Sequence, residues 1–304
     1  MKKKLSILDI KNKVAKKEKI SWITSYSYPM AYCAEQAGID MILVGDSGGM
    51  TELGYETTNP VTMDEMITFC KAVRRGAPNT FIVGDMPQGS YEASNEDAIN
   101  NAIKFIKEGG CDAVKLEGGE RILQRIKAIK SAGIIVCGHL GLTPQTTANF
   151  GGYRVQGKDF ETLSQLKQDI EAIHYHIDFL LIEAVPDLPM EYIKTSVNIT
   201  IPVFGIGAGK NVDGQLLIVH DILGFYPNFK PRFAKNYFQL VSKLTPKETM
   251  IEMITESIRW FINEVKDGEF PKADHTYKIS SEFSKELKLV IEKRKSQNEL
   301  PNYR

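Results

Sequence analysis

The chain has 304 residues, 42% of them hydrophobic, with 38 basic side chains against 38 acidic ones. That length and apolar content support a sizeable core in one large domain or two smaller ones. The even charge balance excludes a whole-chain electrostatic bias toward nucleic acid. No window approaches the ~18 apolar residues that a membrane span needs.

The opening stretch, "MKKKLSILDIKNKVAKKEKI", is basic, but lysines at 11, 13, 16, 17 and 19 interrupt any secretory apolar segment. Cys33, Cys70, Cys111 and Cys137 form no CxxC pair and sit among apolar or small residues, as structural thiols of a reducing compartment do. A cytoplasmic protein without membrane or nucleic-acid partners is expected.

Short apolar runs then recur at 21–28, 41–46, 81–85, 112–119, 134–141, 178–185 and 202–209. Their hydrophobicity is continuous rather than alternating, which suits parallel strands buried on both faces. Helical periodicity fills the gaps. Thr62 with Glu65 three residues later is a capping-box pattern, and that helix stops at Gly76 and Pro78. Ser94 or Asn95 opens the next helix, and Ile122, Ile126 and Ile129 share one face of another. The eighth strand is expected between Gly224 and Tyr237. An amphipathic helix over 280–298, with Phe283, Leu287, Val290 and Ile291 at helical spacing, closes a C-terminal extension of about 279–304. No linker or repeat divides the chain, so 1–304 reads as one domain.

Strand–helix alternation fits an open doubly wound sheet or a closed barrel. Polar residues end many strands rather than one switch point, which favours a (β/α)8 barrel with its site at one face. Asp46, Asp85 and Glu117 end three consecutive strands, and converging carboxylates are costly unless a cation neutralises them. Oxygen donors of this kind suit Mg²⁺. Lys115, two residues before Glu117, faces the same side and either binds an anion or pairs with Glu117. His139 ends another strand. Glu183, after five apolar residues, reads either as a buried base or as a partner for a lysine. "GIGAG" (205–209) lacks dinucleotide-fingerprint spacing and reads as a close-approach turn at the barrel rim.

The strings "VGDSGGM", "GYETTNPVTMDEM", "VGDMP", "VKLEGGE", "CGHLGLTPQ", "GGYRVQGK", "PVFGIGAG", "DGQLLIVHDILG" and "PRFAKNY" occur in order over roughly residues 20 to 275. Together they resemble the ketopantoate hydroxymethyltransferase family. "GHLGLTPQ" followed by "GGYRVQGK" is the most specific part. The wider superfamily, with phosphoenolpyruvate mutase and isocitrate lyase, shares the barrel but not those strings. The resemblance implies a (β/α)8 barrel of the phosphoenolpyruvate/pyruvate-enzyme type, assembled into a homo-oligomer, often a decamer. It implies Mg²⁺-dependent hydroxymethyl transfer from 5,10-methylenetetrahydrofolate to 3-methyl-2-oxobutanoate on the route to pantothenate. By motif, Asp46 and Asp85 would hold the metal, with Glu117 nearby or bound through water. Asp46, Ser47, Asp85, Lys115 and His139 would contact the 2-oxo acid, and Glu183 would be the catalytic base.

Four departures from the family pattern stand out. Gly48 replaces a leucine, Gln88 an apolar residue and Ser27 an aspartate, while "DHTY" (274–277) stands for an "EHSF"-like string. Gly48 and Gln88 predict a roomier, more polar pocket. Besides the family reaction, that leaves open a paralogue acting on a larger or more polar 2-oxo acid. A mutase- or lyase-type enzyme would keep the metal acids, but the gating loop it needs has no signature here.

Overall fold

The computed structural model describes residues 3–298. Eight parallel strands close on themselves: β1 (Ile20–Thr24), β2 (Met41–Val44), β3 (Phe81–Asp85), β4 (Ala113–Glu117), β5 (Val136–Gly141), β6 (Phe179–Glu183), β7 (Val203–Ile206) and β8 (Gly214–Leu217). Each pairs with its sequence neighbour, and β8 returns to β1 through Trp22↔Leu216. With no free edge, almost every strand residue is buried, which is why the runs read as continuously apolar.

The helices are α1 (Ile7–Ala15), α2 (Tyr28–Ala37), α3 (Gly48–Thr51), α4 (Met63–Gly76), α5 (Asn95–Lys107), α6 (Leu123–Ser131), α7 (Phe160–Ile173), α8 (Asp187–Ser196), α9 (Val219–Leu223), α10 (Tyr237–Leu244), α11 (Met250–Lys266) and α12 (Ser281–Asn298). The expected caps are present. Thr62 Oγ1 accepts from the Glu65 backbone N–H while the Glu65 carboxylate accepts from that of Thr62, and Ser94 caps α5. Each such cap satisfies amides that the first helical turn leaves unpaired. Helix α12 packs on α8, burying Phe283, Leu287 and Ile291, with the Phe283 ring edge-on to Phe160 at 4.9 Å. The last six residues of the expected extension, 299–304, lie outside the described residues.

The eighth strand is not where the alternation placed it. It occupies 214–217, directly after the glycine turn, with no helix between β7 and β8. Gly207 and Gly209 take positive φ of 62° and 71°, and the Asp213 backbone serves both neighbours: its N–H donates to Val203 and its C=O accepts from Ile20. The segment 224–237 forms instead a loop over the mouth of the barrel, where Phe233 packs so closely on Gly207 that a Cβ there would lie 2.4 Å from its ring. The close-approach reading of "GIGAG" holds for this reason.

Trp22, Phe81, Phe179 and Phe204 pack edge-to-face across the barrel, with centroids 5.7–6.4 Å apart. Phe81 and Phe179 open their strands, so this aromatic plug fills the N-terminal end. The C-terminal end is left to carry a cavity.

Candidate active site

Strand register brings the predicted residues together. Asp85 on β3 pairs with Lys115 on β4, Glu117 with His139 on β5, and Gly141 with Glu183 on β6. Asp46 and Ser47 follow β2 immediately. All seven line one cavity of about 670 Å³ at the C-terminal face. Asp46, Asp85, Lys115, Glu117 and His139 are each no more than 3% exposed.

Lys115 Nζ stands 2.9 Å from Asp85 Oδ1 and 3.0 Å from Glu117 Oε1. The contact with Glu117 is aligned as a hydrogen bond; that with Asp85 is close but misaligned, so Asp85 Oδ1 has no hydrogen-bond donor. Asp85 Oδ2 accepts the Asp46 amide at 3.0 Å. Both oxygens of Glu117 are engaged. Oε1 contacts Lys115 and His139 Nδ1, and Oε2 accepts the Gln145 amide at 3.0 Å. His139 Nε2 reaches to 3.2 Å from Glu183 Oε2, so His139, not a lysine, is the neighbour of Glu183. The residue after Glu183, Ala184, adopts φ 51°, a left-handed conformation uncommon for a residue with a side chain. The chain thus turns sharply where Glu183 is presented.

One lysine faces three buried carboxylates, and the electrostatics follow. Burial and then the neighbouring Asp85 push the Asp46 carboxyl well above the ordinary range. Burial likewise raises Asp85, although Lys115 opposes it. Burial works against ionisation of Glu117 as well, yet Lys115 and His139 hold its pKa down at about 2. Glu117 is therefore the most fully compensated, with Lys115 and His139 beside it; Asp85 shares the Lys115 charge but stays raised, and Asp46 has no ion pair among the described residues. Two incompletely compensated carboxylates, one with an oxygen that accepts no hydrogen bond, fit a cation that keeps most of its sites for water and substrate, as Mg²⁺ does. Among the described residues no group of three or more His, Cys, Asp or Glu is arranged to hold a metal by itself.

Two sets of residues escaped the sequence reading. Gln145, in the quoted "GHLGLTPQ", donates from Nε2 to Asp46 Oδ2 and to the Met86 carbonyl, both at 2.9 Å, and accepts the Tyr91 hydroxyl at 2.7 Å. With its amide on Glu117, it ties the two ends of the carboxylate cluster together. The second set is His220 and Asp221, just beyond β8. They obey the same strand-end rule and were hidden by the misplaced eighth strand.

Of the departing positions, Tyr277 in "DHTY" lines the cavity, and the other three sit elsewhere. Ser27, Gly48 and Gln88 are all outside the cavity wall. Ser27 is the residue before α2, and the exposed Gln88 side chain accepts from Asn59. Gly48 is buried under Tyr26, where a Cβ would lie 2.6 Å from Cδ1 of the ring. The space expected from the missing leucine is thus filled by Tyr26, whose hydroxyl bonds Ser47 Oγ at 2.8 Å. No roomier pocket results. The four cysteines are free and buried, and among the described residues no helix is long and apolar enough to cross a membrane.

Comparison with known proteins adds the following. Residues 4–273 match a family described as ketopantoate hydroxymethyltransferase. A 3-methyl-2-oxobutanoate hydroxymethyltransferase from Alkaliphilus metalliredigens is 47% identical over 92% of this chain and 95% of that protein. Another from Desulfotalea psychrophila is 46% identical over 91% and 96%. Among solved structures, a phosphoenolpyruvate phosphomutase from Streptomyces platensis subsp. rosaceus superposes with a TM-score of 0.56, covering 97% of this chain and 99% of that one. At 14% identity that likeness is one of fold.

Proposed function

The chain belongs to the ketopantoate hydroxymethyltransferase family and is a hydroxymethyltransferase, and from that premise we propose that it moves the one-carbon unit of 5,10-methylenetetrahydrofolate onto C3 of 3-methyl-2-oxobutanoate. The product is 2-dehydropantoate, on the route to pantothenate; water supplies the hydroxyl oxygen and tetrahydrofolate leaves. The observation that carries the reading is the split of the buried acids: Glu117 has both Lys115 and His139 on one oxygen, Asp85 only shares Lys115, Asp46 has no ion pair among the described residues, and Glu183 stands apart beside His139.

Asp46 and Asp85 would hold Mg²⁺, which when bound would supply the positive charge that acidifies C3 of the 2-oxo acid. Glu117, with both oxygens taken, serves by fixing Lys115 and His139. Lys115, the buried cation of the cluster, faces the carboxylate end of the 2-oxo acid together with the Ser47 hydroxyl. Glu183 takes the C3 proton, and His139 at 3.2 Å steadies its carboxylate as charge moves. Water takes the methylene carbon from the two folate nitrogens, both C–N bonds breaking as tetrahydrofolate leaves, and the electron pair on C3 forms the new bond to that formaldehyde-level carbon while its oxygen takes up the proton and becomes the hydroxyl.

The same reading makes the protein one barrel domain of a reducing, cytoplasmic compartment and a homo-oligomer. Tyr32, Met250 and Ile251, exposed on the α2 and α11 side, are apolar surface suited to self-association. Hydroxymethyl transfer and C3–deuterium exchange of 3-methyl-2-oxobutanoate, measured with and without Mg²⁺, test the reaction. Absence of exchange from metal-loaded protein would overturn it.

A further inference from the structure

The 2-oxo acid reading uses the ends of β2 through β6, while the cavity also reaches the end of β8, which lies opposite β4 in a closed ring of eight. There stand His220 and Asp221, 3% and 8% exposed. Each carries a buried polar atom without a hydrogen-bond partner, Nδ1 of His220 and Oδ2 of Asp221. Leaving such an atom unpaired is costly, and native structures do it where a ligand or water completes the set. Two adjacent instances on the wall of one cavity mark a place built for something to bind.

The chemistry selects what binds. A 2-oxo acid is an anion without N–H donors, so Asp221 repels it and Lys115 attracts it. Asp221 requires a donor-rich partner, ideally two parallel N–H groups facing its two oxygens. Burial pushes its carboxyl up to about 7, with Lys230 pulling the other way, so a ligand that donates to it also relieves an unfavourable charge. Tyr226 and Phe229 line the same end and offer ring faces for a flat heterocycle, while Lys230 and Arg232 offer cations for an acidic tail.

Resting on the folate reading above, we propose that Asp221, with His220 beside it, is the recognition residue for the pterin of the one-carbon donor, accepting hydrogen bonds from its 2-amino group and N3–H. The cavity is then read from two ends: the anionic substrate at Lys115, the N–H-rich one at Asp221.

The test is equilibrium binding of tetrahydrofolate and of 3-methyl-2-oxobutanoate to the metal-loaded full chain, wild type and Asp221→Asn. Losing the charged acceptor should weaken tetrahydrofolate by about 10- to 100-fold and change the 2-oxo acid affinity less than about twofold. A 2-desamino tetrahydrofolate analogue probes the same contact from the ligand side, with no variant to fold. It should bind wild type weaker by a similar factor and lose little further in D221N. Equal tetrahydrofolate binding by wild type and D221N, or an equal loss for both substrates, would overturn the assignment while leaving the folate reading intact. Failure of wild type to bind tetrahydrofolate would overturn both.

Discussion

Lys115→Met keeps a long apolar stem in the barrel but deletes the ammonium that stands within 3.0 Å of both Asp85 and Glu117. Glu117 feels that charge together with His139 and against its own burial. Its carboxyl is held from 4.5 down to about 2 by Lys115 and His139 against the cost of burial, and at ~1.4 kcal/mol per pH unit the interval corresponds to ~3 kcal/mol. Removing one partner of a buried ion pair costs about 3–5 kcal/mol in general, and the lower end of that range sets the expected deficit. Because the folded pKa of Glu117 is depressed, its contribution is present above 4.5 and is lost as pH falls toward about 2. Lys115 is raised above 10.5 by Asp85 and Glu117 although burial opposes it, so its contribution is full below that value and fades only as pH rises through the folded one. The deficit of K115M should therefore be full between about pH 5 and 10 and shrink near pH 3. For 304 residues, ~3 kcal/mol is a fall of ~5 °C in Tm. Urea unfolding of metal-free wild type and variant, at one protein concentration and at pH 7 and 3.5, reads the difference directly. A deficit below ~1 kcal/mol at pH 7, or one that grows in acid, would refute the electrostatic account.

Three further outcomes are expected. Glu183→Gln should slow C3–deuterium exchange by about 10²–10⁴-fold while 3-methyl-2-oxobutanoate still binds; exchange at the wild-type rate would remove Glu183 as the base. Gln145→Leu leaves Asp46 Oδ2 without its donor at 2.9 Å and should weaken Mg²⁺ by about 10- to 100-fold, read by metal titration; unchanged affinity would reduce Gln145 to packing. Gly48→Leu must move Tyr26, whose ring lies 2.6 Å from the new Cβ, so it should cost ~1–3 kcal/mol of stability and weaken the 2-oxo acid through the Tyr26–Ser47 hydrogen bond. A stable G48L with improved kcat/KM would show that the leucine has room after all.

The residues of the site were legible because a closed parallel barrel converts a one-dimensional pattern into a ring. Any polar residue that ends a buried apolar run must arrive at the C-terminal face, so Asp46, Asp85, Glu117, His139 and Glu183 were named from position alone. The same rule reaches His220 and Asp221 only once the fold is known, because a short turn without a helix joins β7 to β8 and the eighth strand precedes α9 rather than following it. Gln145 escaped for another reason: it lies beyond its strand, and only the folded chain shows its amide bridging Asp46 and Glu117. Nor does a missing side chain specify an empty space, since Tyr26 fills the one that Gly48 leaves.

The sequence by itself determined the alternation, the caps and the ring of strand-end acids, which rest on local periodicity and residue chemistry, and the family, which rests on the resemblance of its motif strings. Only the tertiary structure decided which acids are compensated. Asp85 and Glu117 both end strands and both stand beside Lys115, but Glu117 also has His139 and the Gln145 amide around it, whereas Asp85 accepts the Asp46 amide and Asp46 the Gln145 side chain. Compensation depends on distances across neighbouring strands and on exclusion of water, and neither exists until the barrel closes.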